Sequence, residues 1–100
     1  MTELQRNFEN RVNQSVKQML KLGYKSTIFE TMRQEHGTID AIKRLVVDKK
    51  ISEGFKFLWE HKRLDLSVEN IILEPEWNSL FSDSERTAAK NKLQQCGFKI

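Results

Sequence analysis

Ser52–Phe81, SEGFKFLWEHKRLDLSVENIILEPEWNSLF, is the stretch whose reading decides the fold. It holds both tryptophans, Trp59 and Trp77, three of the six phenylalanines and the only proline. Aromatic side chains bury the most area per residue, so a segment this rich in them organises the core. Its apolar residues recur at helical spacing, each run opened by a residue that starts helices. Ser52 precedes Phe55, Leu58 and Trp59; Ser67 precedes Val68, Ile71 and Ile72. Pro75 ends the second run or opens a short segment carrying Trp77, Leu80 and Phe81. Leu64-Asp65-Leu66 alternates and reads as extended.

The same grammar holds outward from this centre. Thr2 with Gln5 forms a capping box, and Leu4, Phe8, Val12, Val16 and Leu20 follow at steps of four, predicting a helix over about Thr2–Leu22. Gly23 is a left-handed terminator with Tyr24 folding back onto Met19; Gly97-Phe98 repeats that stop after a second box, Ser82 with Glu85. Thr27 and Glu30 open a short helix with Ile28, Phe29 and Met32, which Gly37 closes. Thr38 caps another, with Ile39, Ile42, Leu45 and Val46. No Asn-Gly or Asp-Gly hairpin turn occurs anywhere. The expectation is a single all-α domain over 1–100, a compact orthogonal array of six or seven mostly short helices. Its predicted core is Leu4, Phe8, Val12, Val16, Ile28, Phe29, Ile42, Leu45, Phe55, Leu58, Trp59, Ile71, Ile72, Leu80, Phe81 and Leu93.

One hundred residues with 38% hydrophobic and 31% charged side chains suit one core without staples. No run approaches the ~20 apolar residues of a membrane span, and the N-terminus lacks the basic start and apolar block of a secretory signal. A lone cysteine, Cys96, excludes an internal disulfide, so the expected setting is the reducing cytoplasm. The net charge of +3 is small and its basic residues are dispersed, with pairs at Lys43-Arg44, Lys49-Lys50 and Lys62-Arg63.

No residue set carries recognisable catalytic chemistry. His36, His61 and Cys96 lack the paired spacing of zinc ligands, and no cofactor is expected. Cys96 stands at a helix end, where the dipole does not activate a thiol. Glu60-His61-Lys62 has the Glu-x-Lys spacing of a metal-dependent nuclease, with Asp48 as a second carboxylate, but it falls on a helix end without the presenting strand. Gly54 has no glycine-rich loop around it and reads as a close-packing position.

A series of residues has a familiar look: His36-Gly37-Thr38, Gly54-Phe55, Leu58-Trp59-Glu60, Arg63-Leu64-Asp65-Leu66-Ser67, Pro75-Glu76-Trp77 and Leu80-Phe81. Over about residues 20–98 this resembles a small all-helical module of uncharacterised bacterial proteins. The resemblance implies a bacterial or phage-related setting and brings no activity or site residue with it.

Two binding readings follow. The first is a non-enzymatic protein-interaction or adaptor module, with Arg63, Asp65, Glu69 and Trp77 as the contact surface, where charged and apolar residues mix as at an interface rim and core. The second is a nucleic-acid-binding domain in which Lys56, Lys62, Arg63, Lys43, Arg44, Lys49 and Lys50 meet phosphates and Trp59 stacks on a base. No membrane partner is expected.

Overall fold

The computed structural model describes residues 2–98, and among them every regular element is helical. Six α-helices follow one another: α1 (Glu3–Lys21), α2 (Thr27–His36), α3 (Thr38–Val47), α4 (Glu53–Glu60), α5 (Val68–Ile71) and α6 (Asp83–Gln95). Short 3-10 segments at Leu64–Leu66 and Pro75–Leu80 join the later ones.

Local chemistry fixes most boundaries. Capping boxes at Thr2/Gln5 and Ser82/Glu85 satisfy the otherwise unpaired N–H groups that open α1 and α6. The hydroxyls of Ser52 and Ser67 accept from the Phe55 and Asn70 amides at 3.1 Å and open α4 and α5. At the end of α1 the Tyr24 N–H donates to the Met19 carbonyl at 2.9 Å and the Gly23 N–H to Leu20 at 3.0 Å. Phe98 and Gly97 make the same pair of bonds to Leu93 and Gln94 after α6. A third stop of this form closes α4, Arg63 to Leu58 and Lys62 to Trp59, but here a lysine takes the left-handed position, with φ of 58°. Thr38 does not cap α3. It is the first helical residue, behind Gly37, and its hydroxyl instead accepts from Arg33 Nε at 2.9 Å.

Two apolar clusters make the interior. The first gathers Phe8, Val12, Ile42, Val46, Ile71, Ile72, Trp77, Phe81 and Ala89; the second gathers Met19, Phe55, Leu58, Leu64, Leu66 and Leu93. Helices α1 and α6 contribute to both. Phe8 meets the Trp77 ring edge-on at 5.3 Å and the Phe81 ring at 5.4 Å, favourable aromatic geometries.

The structure corrects several expectations. Leu64–Leu66 is a 3-10 turn, held by Leu66 and Ser67 amides bonding back to the Arg63 and Leu64 carbonyls. Trp59 and Ile28 lie outside the core, 46% and 63% exposed. On α4 the inward face is the pair Phe55 and Leu58, and Trp59 stands about 100° further round. On α2 no residue is fully buried; Phe29, Met32 and Arg33 are half-buried, and Ile28 lies off that side. Leu4, Val16, Phe29, Leu45 and Leu80 are half-buried packing at the margin. On α1 a step of four residues drifts about 40° per step, so the stripe moves from Val12 to Ser15 and Met19, leaving Leu20 exposed. Trp77 is the tryptophan that packs inside, 5% exposed.

Candidate functional site

The anticipated contact residues do not form one surface. Arg63 and Asp65 pair at 3.1 Å on the outside. That carboxylate raises the Arg63 pKa above its ordinary value, through its hydrogen bond and its charge. Glu69 and Trp77 are interior, 2% and 5% exposed, which removes both from a rim. Trp77 donates its indole N–H to Glu74 Oε1 at 2.9 Å.

The basic residues are mostly at the surface. Arg44, Lys49, Lys50, Lys56 and Lys62 are exposed, whereas Lys43 is half-buried with its ammonium 3.9 Å from Glu85. Trp59 lies among them in sequence with half of its ring in solvent. Glu60, Asp48 and Lys62 are exposed, and among the described residues no group of three or more His, Cys, Asp or Glu is placed to hold a metal ion. His61 stacks on the Phe57 ring at 4.0 Å with Nδ1 2.8 Å from the Phe57 carbonyl, a local arrangement at the end of α4. Burial and the Glu69 carboxylate push the Cys96 thiol up, away from the thiolate a nucleophile requires.

What the fold does build is a cleft between α1, α2 and the start of α4, enclosing about 80 Å³. Val16 and Met19 come from α1, Ile28, Phe29 and Met32 from α2, and Phe55 and Leu58 from α4. Gly54 keeps its near edge open: a Cβ there would stand 3.4 Å from Met19 Cε and 3.6 Å from the Tyr24 ring. A shallower groove sharing Val16, Tyr24 and Ser26 continues past Leu20 and Lys25. Exposed Ile28 lines the cleft and exposed Leu20 the adjoining groove, the two meeting at Val16, Tyr24 and Ser26.

Part of its polar lining is interior: Ser15, Ser26, Ser67 and Glu69 are buried, whereas Glu53 is exposed, as is Ile28 among its apolar residues. Ser15 is on the apolar stripe of α1 because its hydroxyl donates to the Leu66 carbonyl. Ser67 Oγ donates to the Leu64 carbonyl at 2.7 Å. Burial raises the Glu69 pKa; Lys92, with Nζ 3.7 Å from Oε2, opposes that shift without cancelling it. Lys92 is held where it is by donating to the Leu45 carbonyl at 2.6 Å, near the end of α3. Burial, then the Glu53 charge, raise the Tyr24 phenol as well.

The cleft was hidden in the sequence because its residues come from five separated segments. One signal was available: Glu69 stands three residues before Ile72 on a helix whose Ile71 and Ile72 both had to be covered, which turns Glu69 inward. No helix among the described residues is long and apolar enough to cross a membrane. Comparison with protein-family models, with curated proteins and with solved structures gives no match to this chain.

Proposed function

We propose that this chain is a non-enzymatic protein-binding module that receives an apolar-stemmed side chain of a partner in the cleft beside Ile28. The observation that carries the reading is exposed Ile28 on the cleft and exposed Leu20 on the adjoining groove, 63% and 60% accessible. Large aliphatic residues next to a concave apolar site are the usual makings of an interface core. Met19 and Met32 in its walls add side chains that adapt their shape to a guest. The bacterial or phage-related setting suggested by the sequence resemblance belongs to the same proposal.

The test is a photo-crosslinking amino acid at position 28 in cells, with position 91, exposed and outside the cleft, as the control. A discrete protein should be captured from position 28 alone. With that protein purified, Ile28→Ser and Leu20→Ser should each weaken binding while leaving the thermal unfolding midpoint in place. Equal capture from both positions, or affinity indifferent to both substitutions, defeats the reading.

Exposed Trp59 favours a second reading, nucleic-acid binding, since an accessible indole near Lys56 and Lys62 is a stacking platform. Its competitor status follows from Lys43 and Arg63, whose charges face Glu85 and Asp65. If about four basic side chains neutralise duplex phosphates, log affinity should fall with log salt at a slope of about −3.6. Absence of binding at low salt, or binding unaffected by Lys62→Glu with Arg63→Glu, removes this alternative.

A further inference from the structure

α2 contributes no residue to either buried cluster; Phe29 alone packs against one of them from outside. Its near neighbour in the fold is α3, which follows it after the single residue Gly37. Toward α1 it is undercut on two sides. Ile28, Phe29 and Met32 line the cleft, Thr27, Glu30, Thr31 and Gln34 line the groove, and Val16 of α1 lines both. Arg33 spans the gap. Among the described residues, every side-chain hydrogen bond and ion pair between α2 and another element is made by this guanidinium. Nη2 donates to Glu9 Oε2 at 2.7 Å and Asn13 Oδ1 at 2.8 Å on α1, and Nε donates to Thr38 on α3. Within α2, Nη1 bonds Glu30 at 2.9 Å and Cζ lies 5.6 Å from the centre of the Phe29 ring, so the fork is held in place for its partners on α1.

Both ends of the helix are tethered at left-handed glycines, Gly23 with φ of 105° in the connection from α1 and Gly37 with φ of 83° before α3. A few such connecting positions suffice to absorb the rotation of a moving element. We propose that α2 is a lid over the cleft, latched to α1 through Arg33, and that it lifts while both apolar clusters stay closed. The inference holds whatever the cleft receives, and so stands apart from the protein-binding reading. A helix of ten residues removed from its packing does not keep its own hydrogen bonds, so lifting the lid opens the α2 amides to exchange.

The experiment compares native-state amide exchange in the full chain and three variants. Glu9→Ala removes a contact that is lost both when the lid lifts and when the whole chain unfolds. Exchange should therefore quicken by about threefold in α2, and by the same factor in the middle of α1 and α6. Arg33→Met, which keeps an apolar stem over Phe29, should quicken both by about tenfold or more. Arg11→Ala removes the bond to Glu74, which survives lifting and is lost only on global unfolding. It should quicken α1 and α6 and leave α2 unchanged. If α2 follows α1 and α6 in Arg11→Ala, no separate lid exists; if Glu9→Ala leaves α2 unmoved, Arg33 is not its latch. These two variants decide the matter if Arg33→Met does not fold. Val16→Cys then reports whether lifting uncovers the cleft, with maleimide labelling read peptide by peptide so that Cys96 is scored separately. Labelling at position 16 should quicken when Glu9→Ala is added and stay constant when Arg11→Ala is added. Labelling indifferent to Glu9→Ala, or quickened by Arg11→Ala, overturns the inference.

Discussion

Arg11 on α1 holds Glu74, sixty-three residues further along the chain, through two nitrogens at once, Nε at 3.1 Å and Nη2 at 2.9 Å. The same carboxylate receives the Trp77 indole N–H, so one acidic side chain ties the first helix to the aromatic interior. Both partners of the ion pair are partly shielded, 27% exposed each, where bidentate geometry gives a charge-assisted bond its strength.

Glu74→Ala should therefore cost about 1.5–3 kcal/mol, the range for hydrogen bonds to charged groups, and Trp77→Phe, read as the loss of its donor, about 0.5–1.5 kcal/mol on top of its packing change. A double-mutant cycle between Arg11→Ala and Glu74→Ala, followed by urea unfolding, should return a coupling above about 0.5 kcal/mol. Additive single effects would mean the pair is idle.

The two tryptophans should rank opposite to their apparent weight in the sequence. Trp77→Ala should cost about 3–5 kcal/mol, as for a buried aromatic. Trp59 keeps half of its surface in water; the remainder, about 100 Å² at ~25 cal/mol/Å², bounds its loss near 2.5 kcal/mol. Unfolding midpoints of the two variants give the order directly, and a larger loss at Trp59 would contradict the fold.

Lys62 occupies a left-handed conformation that the other two stops assign to glycine. Lys62→Gly should relieve about 1 kcal/mol of backbone cost, partly offset by the greater freedom glycine gives the unfolded chain. A net gain in the urea midpoint is expected. A net loss would show that the lysine side chain is holding the turn.

Glu69 makes the fold sensitive to pH. Its ordinary value is 4.5 and burial raises it in the folded state, so folding favours the protonated form. That contribution is complete below about 4.5 and fades as pH climbs through the raised value. Relative to Glu69→Gln, which has no such titration, the unaltered protein should lose stability as the pH rises above about 4.5, until the folded-state carboxyl has ionised. Urea midpoints of both proteins across that window measure the gap; a constant gap, or one moving the other way, contradicts the assignment.

Helix starts and stops were legible because they depend on neighbours a few residues apart. Thr2 with Gln5, Ser52, Ser67, Ser82 with Glu85, and both glycine stops all act as their local pattern predicts. Which side of each helix faces inward depends on partners that periodicity cannot name. Trp59 and Ile28 sit at plausible apolar spacing on short helices, yet α4 and α2 are covered on a narrower side than their sequences offer. The cleft demanded still more, since Ser15, Phe29, Gly54 and Glu69 meet only through tertiary structure.

Because α1 supplies Phe8 and Val12 to one cluster and Met19 to the other, and α6 divides Ala89 and Leu93 the same way, neither cluster closes without both helices. The two halves of the interior cannot open separately. In hydrogen exchange, amides in the middle of α1 and α6 should report the same opening free energy, that of global unfolding, while α2, with no fully buried residue, opens on its own at lower cost. On that expectation the wall of the cleft that carries Ile28 moves while both clusters stay closed.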